Sequence, residues 1–193
     1  CYWDLRYFFD KRIHTIGNHK INLPIPDFIA CNGNNTLNAF LKNGYPKKKL
    51  IKVESLRFIY LSKMSKVIPS KNENFLRLLV VGDHRKINTH KQLNLLNNAS
   101  NLLKNNIKIS LKTHPACPID TNLYSNLSIK IETKPLHNIL VNYDIVYTSI
   151  TTSAAVDAYC FGLPVITFRD GADLNLSRLR NCRGVQYVSH HAI

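Results

Sequence analysis

The stretch Tyr143–Phe168, YDIVYTSITTSAAVDAYCFGLPVITF, decides how this chain is read. Ile145–Tyr147 is a short β-branched and aromatic run, the pattern of a strand buried on both faces of a parallel sheet. Thr148, Ser149, Thr151, Thr152 and Ser153 follow it, and Ala154, Ala155, Val156, Ala158 and Tyr159 then read as a helix. Gly162-Leu163-Pro164 turns the chain into a second strand, Val165–Phe168. The spacing predicts strand, helix and strand, with the helix starting between Ile150 and Ser153. A helix start offers unpaired backbone N–H groups and the positive end of a dipole. Hydroxyls gathered there make an anion site suited to a phosphate. The plainer reading is one capping hydroxyl with several spare ones on the surface.

The same alternation runs outward from this stretch. Leu76–Val81 reads as a strand, Gly82–Asn88 as a loop, Gln92–Leu103 as a helix and Ile107–Lys112 as a strand. Leu127–Ile131 is another strand, Pro135–Val141 a short helix and Val185–Val188 a last strand. Strands alternating with helices at this spacing imply βαβ units and a parallel sheet. Upstream, Asp27–Cys31 and Lys49–Val53 read as strands around a helix, Asn35–Asn43, with Leu37, Phe40 and Leu41 on one face and Gly44 as its stop. Ser62–Asn74 is polar, lysine-rich and interrupted by Pro69, as a linker is. The expected class is α/β: a Rossmann domain with a parallel sheet over 75–193, a linker over 62–74, and over 1–61 the tail of a second α/β domain.

Composition narrows the partners. The chain has 193 residues and a formal charge of +14. That charge calls for a polyanionic neighbour: nucleic acid, anionic lipid headgroups or phosphorylated substrates. Lys47, Lys48, Lys49 and Lys52 form the densest cluster, a pattern that also suits an ordinary solvated face. No zinc finger or RNP-like aromatic box accompanies the charge, which argues against nucleic acid. No apolar run approaches the length of a membrane span. Five scattered cysteines (Cys1, Cys31, Cys117, Cys160, Cys182) contain no CxxC pair, so no zinc site or disulfide framework is expected and the setting reads as reducing and cytoplasmic. The sequence shows no secretory signal and begins at Cys1 instead of Met, so the expectation is a piece of a longer protein.

Strand ends locate the candidate chemistry, because ligands of open α/β sheets bind beyond the carboxyl ends of the strands. Lys112-Thr113-His114-Pro115 ends one strand. A protonated His114 there would bond a phosphate and meet charge growing on a leaving group, and Pro115 holds its backbone extended. The alternative is a turn histidine bound to its own backbone. Gly82-Asp83-His84 ends the first strand of the domain and suits contact with a base or donor sugar, or a simple glycine turn. Asp157 lies one turn into the helix and could accept from a ribose, and Arg169 follows Val165–Phe168 where it could pair with a phosphate. Asn175, Ser177 and Arg178 lie just beyond. His190-His191 has no partner at metal spacing, and no metal ligand set is expected.

These motifs together resemble the C-terminal half of GT-B glycosyltransferases of bacterial surface polysaccharide assembly. KTHP at Lys112–Pro115 looks like the His-Pro motif of bacterial sialyltransferases, polysialyltransferases and Kdo transferases. TSITTSAAVDAYCFGLPVI, from Thr148, looks like their Ser/Thr pair, helix and following strand, and teichoic-acid glycerophosphotransferases carry similar hydroxyls. PDFIACNGNNTLNAFLKNGYPKKKLIKVESLRFIYL, from Pro26, is similar to the crossover between the two GT-B domains. The resemblance implies a GT-B-like Rossmann domain and a metal-independent glycosyltransferase. It also implies a nucleotide-linked donor, CMP-linked by its nearest motifs, with no further cofactor. The acceptor would be a glycan or lipid-linked precursor of capsule or lipopolysaccharide. The charge of +14 without a membrane span separately leads to the expectation of peripheral contact with anionic membrane at its inner face. Carried over, His114 is the catalytic contact to the donor phosphate, with Thr152 and Ser153 doing the same from the helix start; Ser149 and Thr151 join them as phosphate hydroxyls by their place in the hydroxyl run. Gly82, Asp83, His84, Lys112, Pro115, Asp157 and Arg169 are weaker candidates for nucleotide or sugar. The acidic Asp/Glu-Asp/Glu-Gly motif that holds the base in sialyltransferases is not in the first sixty residues, so the base is unassigned. A glycerophosphotransferase or a nucleotide-sugar epimerase would share the fold. A non-catalytic nucleotide- or polyanion-binding module would share the charge.

Overall fold

The computed structural model describes residues 26–42, 44–63, 74–103, 106–171, 175–180 and 182–189. The aromatic start of the chain, most of the linker reading and His190-His191 lie outside them. The chain divides into two compact units, with the boundary between Lys63 and Met64.

In the first unit, β1 (Ile29–Asn32), α1 (Asn34–Lys42) and β2 (Leu50–Val53) form a strand–helix–strand with the strands parallel and Ile29 opposite Leu50. Cys31, Phe40 and Tyr45 make its small core, the last two rings meeting edge-on at 5.6 Å. Lys47–Lys49 forms a 3-10 turn behind Pro46, which delays β2 by one residue from the sequence expectation. Ser62 and Lys63, expected in the linker, close a 3-10 helix over Leu56–Lys63, where Ser62 Oγ donates to the Ile59 carbonyl.

The second unit holds β3 (Leu76–Val81), α2 (Lys86–Asn98), α3 (Ser100–Leu103), β4 (Ile107–Lys112), β5 (Ile129–Ile131), α4 (Leu136–Ile139), β6 (Ile145–Ser149), α5 (Ala154–Cys160), β7 (Val165–Phe168) and β8 (Val185–Val188). Its six-stranded sheet runs β5-β4-β3-β6-β7-β8, every pair parallel. This is the α/β Rossmann-like sheet expected from the sequence. Side chains of successive residues leave a strand on opposite faces. Leu79, Val81, Val146 and Val165 therefore pack with Ala154, Ala155 and Ala158 of α5. Leu78, Val80, Tyr147 and Phe168 pack with Leu93 of α2 on the other side.

The small residues of α5 let it lie close on the sheet. Gly162, at φ 93°, ends that helix. Its amide donates to Tyr159 O and the Leu163 amide to Ala158 O, the paired bonds of a left-handed C-cap. The largest departure from expectation is α2, which starts at Lys86 instead of Gln92. No helix among the described residues is long and apolar enough to cross a membrane.

Candidate functional site

From β3 the sheet grows in both directions: through β4 to β5 on one side and through β6 to β8 on the other. That reversal opens a crevice beyond the carboxyl ends of β3 and β6. Gly82 leaves β3 against the end of β4. Its amide donates to Lys112 O at 2.9 Å, and a Cβ there would lie 3.2 Å from Thr89 Oγ1 and 3.3 Å from the His114 amide nitrogen. A side chain there would be tight against both neighbours, which would have to give by a few tenths of an ångström.

Asp83, 1 % exposed, is the centre of the site. Its amide donates to Thr89 Oγ1 at 2.9 Å. Its carboxylate accepts from the Arg85 amide at 3.0 Å and from Asn88 Nδ2 at 2.9 Å. The hydroxyls of Ser149 and Thr151 also donate to it. His84 Nδ1 lies 2.6 Å from Asp83 Oδ1. Burial by itself pushes this carboxyl up. The bonds from Asn88, Ser149, Thr151 and the Arg85 amide outweigh burial and hold it below the ordinary carboxylate value. The Arg85 bond is an Asx turn, which launches α2 early. Asn88 and Thr89 look like loop residues in the sequence, yet they are the buried first turn of the helix, satisfied by Asp83.

His114 follows β4 and bridges to Cys117. Its Nδ1 accepts from the Ala116 amide at 3.2 Å, the local turn made possible by Pro115. The His84 and His114 rings are 6.5 Å apart and inclined at 68°. Cys117 Sγ donates to His84 O at 2.9 Å and ties the two loops. Thus Gly82, Asp83, His84, Lys112, His114, Ser149 and Thr151 come together from three strand ends.

The hydroxyl run divides. Ser149 and Thr151, read from the sequence as phosphate ligands, point their protons at a carboxylate and lie 3.2 Å from each other. Thr152 Oγ1 accepts from the Ala154 amide at 3.3 Å. Ser153 is the N-cap of α5 without a side-chain capping bond, and the helix starts at Ala154, one residue after the expected window. The hydroxyls of this loop thus act mainly on Asp83 and on the turn. Asp157, in the first turn of α5, and Arg169, exposed after β7 with its amide bonded to Val188 O, reach this edge by chain position. Of the residues just beyond, Ser177 is buried and takes the Asn175 side chain on its amide, while Arg178 is exposed. The sequence reading missed Arg85, Asn88 and Thr89, although an acidic residue two before a polar helix start was a usable signal. It also missed the ion pair of Lys91 on α2 with Asp170 after β7. Nothing local in the sequence links those two. Among the described residues no group of three or more His, Cys, Asp or Glu is placed to hold a metal ion.

No protein-family model matches the chain. No curated protein matches it either. Solved structures do. The GtfA/B complex matches at a TM-score of 0.52 and 12% identity, over 84% of this chain and 34% of that one. MurG of Acinetobacter baumannii matches at 0.48 and 12%, over 98% and 63%. Alr3699/HepE of Anabaena, in complex with UDP and glucose, matches at 0.43 and 12%, over 75% and 45%. The chain thus spans between about a third and just under two thirds of the length of these structures. They are GT-B glycosyltransferases. At this identity, what the GtfA/B likeness shows is the fold.

Proposed function

We propose that this chain is the donor-binding part of a glycosyltransferase that uses a nucleotide-linked sugar. One observation carries the reading: Gly82-Asp83-His84, His114 and the Ser149–Thr151 loop converge at the carboxyl edge, where the strand order reverses. This is where a doubly wound sheet receives a nucleotide. Two imidazoles there suit the phosphate that leaves when a glycosyl bond to a nucleotide breaks. His114 contacts that phosphate, Thr152 and Ser153 border it, and Gly82, Lys112, Pro115, Asp157 and Arg169 line the nucleotide side. The finer reading is a CMP-linked donor and transfer to a surface polysaccharide or its precursor, supported by the His-Pro and hydroxyl motifs. In the same reading, 75–193 is the donor-binding domain, 62–74 the linker, and 1–61 the end of an acceptor-side domain, with the catalytic base unassigned. The acceptor is a glycan or lipid-linked precursor, reached at the inner face of an anionic membrane and assisted by the positive charge.

Calorimetry with a nucleotide panel tests this. Selective binding of CMP or UDP is expected, weakened by His114→Ala. Binding of any polyanion, abolished by salt and indifferent to His114, favours the second reading, a polyanion-binding module, for which the charge of +14 speaks.

A further inference from the structure

We infer that His84 and His114 form a two-imidazole phosphate site with opposite hydrogen-bonding roles, and that Asp83 is the positioning residue that sets the difference. The inference rests on the proposed function only for the molecule that carries the phosphate.

The two ring nitrogens of each histidine are distinguished by their neighbours. At His114, Nδ1 accepts from the Ala116 amide, so it carries no proton. The proton of the neutral ring is on Nε2, which makes His114 a built-in donor. At His84 the order is reversed. Nδ1 lies 2.6 Å from a carboxylate that is ionised and almost wholly buried, so Nδ1 carries the proton and donates. Nε2 of His84 is then the acceptor nitrogen, open to the hydroxyl of a protonated phosphate. The His84 side chain is half exposed, so this nitrogen is reachable.

Asp83 itself would repel a phosphate. It is 1 % exposed, and its charge acts on the site through His84. Ser149 and Thr151 therefore serve the phosphate at one remove: they hold the carboxylate that orients the imidazole. The titratable and charged groups around His84 are Asp83 on its own loop, Arg85 next along the chain, and His114 and Cys117 on the loop after β4.

Imidazole nitrogen NMR on the full chain tests this directly. The expected spectrum shows His114 as the Nε2–H tautomer and His84 as the Nδ1–H tautomer. Inorganic phosphate should shift Nε2 of both rings. His84→Ala should weaken phosphate on the order of tenfold. Asp83→Asn should mix the tautomers of His84 and leave His114 as it was. If that variant does not fold, the wild-type spectra alone decide. An Nε2–H tautomer at His84, an Nδ1–H tautomer at His114, or phosphate that shifts neither ring overturns the inference. Phosphate binding with the expected pattern, but with no nucleotide able to compete, upholds the pair and removes the glycosyltransferase reading.

Discussion

Asp83 and Asp144 stand at opposite ends of the same strand pair and are held in different ways. Asp144, just before β6, takes the Arg77 amide at 2.8 Å, Arg77 Nε at 3.0 Å and Arg77 Nη2 at 2.9 Å. The side-chain bonds from that guanidinium lower its carboxyl below the ordinary value. Asp83, just after β3, is also lowered, against its burial, by bonds from the neutral side chains of Asn88, Ser149 and Thr151 and from the Arg85 amide. One pair closes on itself and fastens the start of β3 to the start of β6. The other keeps a negative charge in the interior with one imidazole against it. A lowered carboxyl at both positions thus hides two jobs: a clasp and an orienting charge.

The largest effect expected is on Asp83. Asp83→Ala strands the donors of Asn88, Ser149 and Thr151 and removes the turn that starts α2, for a loss of about 3 kcal/mol in urea unfolding. Asp144→Ala opens a fork at a partly exposed rim and should cost about 1.5 kcal/mol by the same measurement. A larger loss at Asp144 than at Asp83 would break the comparison. Both carboxyls have folded-state values below the unfolded one, so their stabilisation is present above roughly pH 4 and is lost as pH falls through the folded values. The wild type should therefore lose stability in acid more steeply than Asp83→Asn. Parallel curves would show that Asp83 is not ionised in the fold.

Gly82→Ala should cost about 1 kcal/mol, because Thr89 and the His114 backbone must give by a few tenths of an ångström. Thermal unfolding reads this, and the variant should also disturb the His114 resonances. Weakest is the ion pair of Lys130 with Glu132, at 2.8 Å but with the lysine 75% exposed. Lys130→Ala should change stability by less than about 0.5 kcal/mol in a denaturant titration. Tyr143, whose hydroxyl donates to Glu132 and whose titration burial pushes up to about 12, keeps that carboxylate bonded without the lysine.

Legibility followed the range of the interaction. The strands Leu76–Val81, Ile107–Lys112, Val165–Phe168 and Val185–Val188 read correctly to the residue, since apolar β-branched runs bounded by turn signals carry their own assignment. The start of α2 did not, because its polar first turn is stable only against Asp83. The hydroxyl run was visible as a functional cluster, but its orientation was not. A hydroxyl near a helix start looks the same in sequence whether it faces an incoming phosphate or a buried carboxylate sixty-odd residues away.

By itself, then, the sequence determined the alternation of strands and helices, the parallel class of the sheet, and the strand ends that carry His84, His114 and the hydroxyls. Those follow from local periodicity and from chain punctuation by glycine and proline. Only the tertiary structure decided which strands are neighbours, that β3 sits beside β6, and therefore that Asp83 meets Ser149 and Thr151. It also decided the roles of the two histidines. A ring nitrogen donates or accepts according to the atom placed against it, and here those atoms come from a carboxylate held by another strand's loop and from a turn amide.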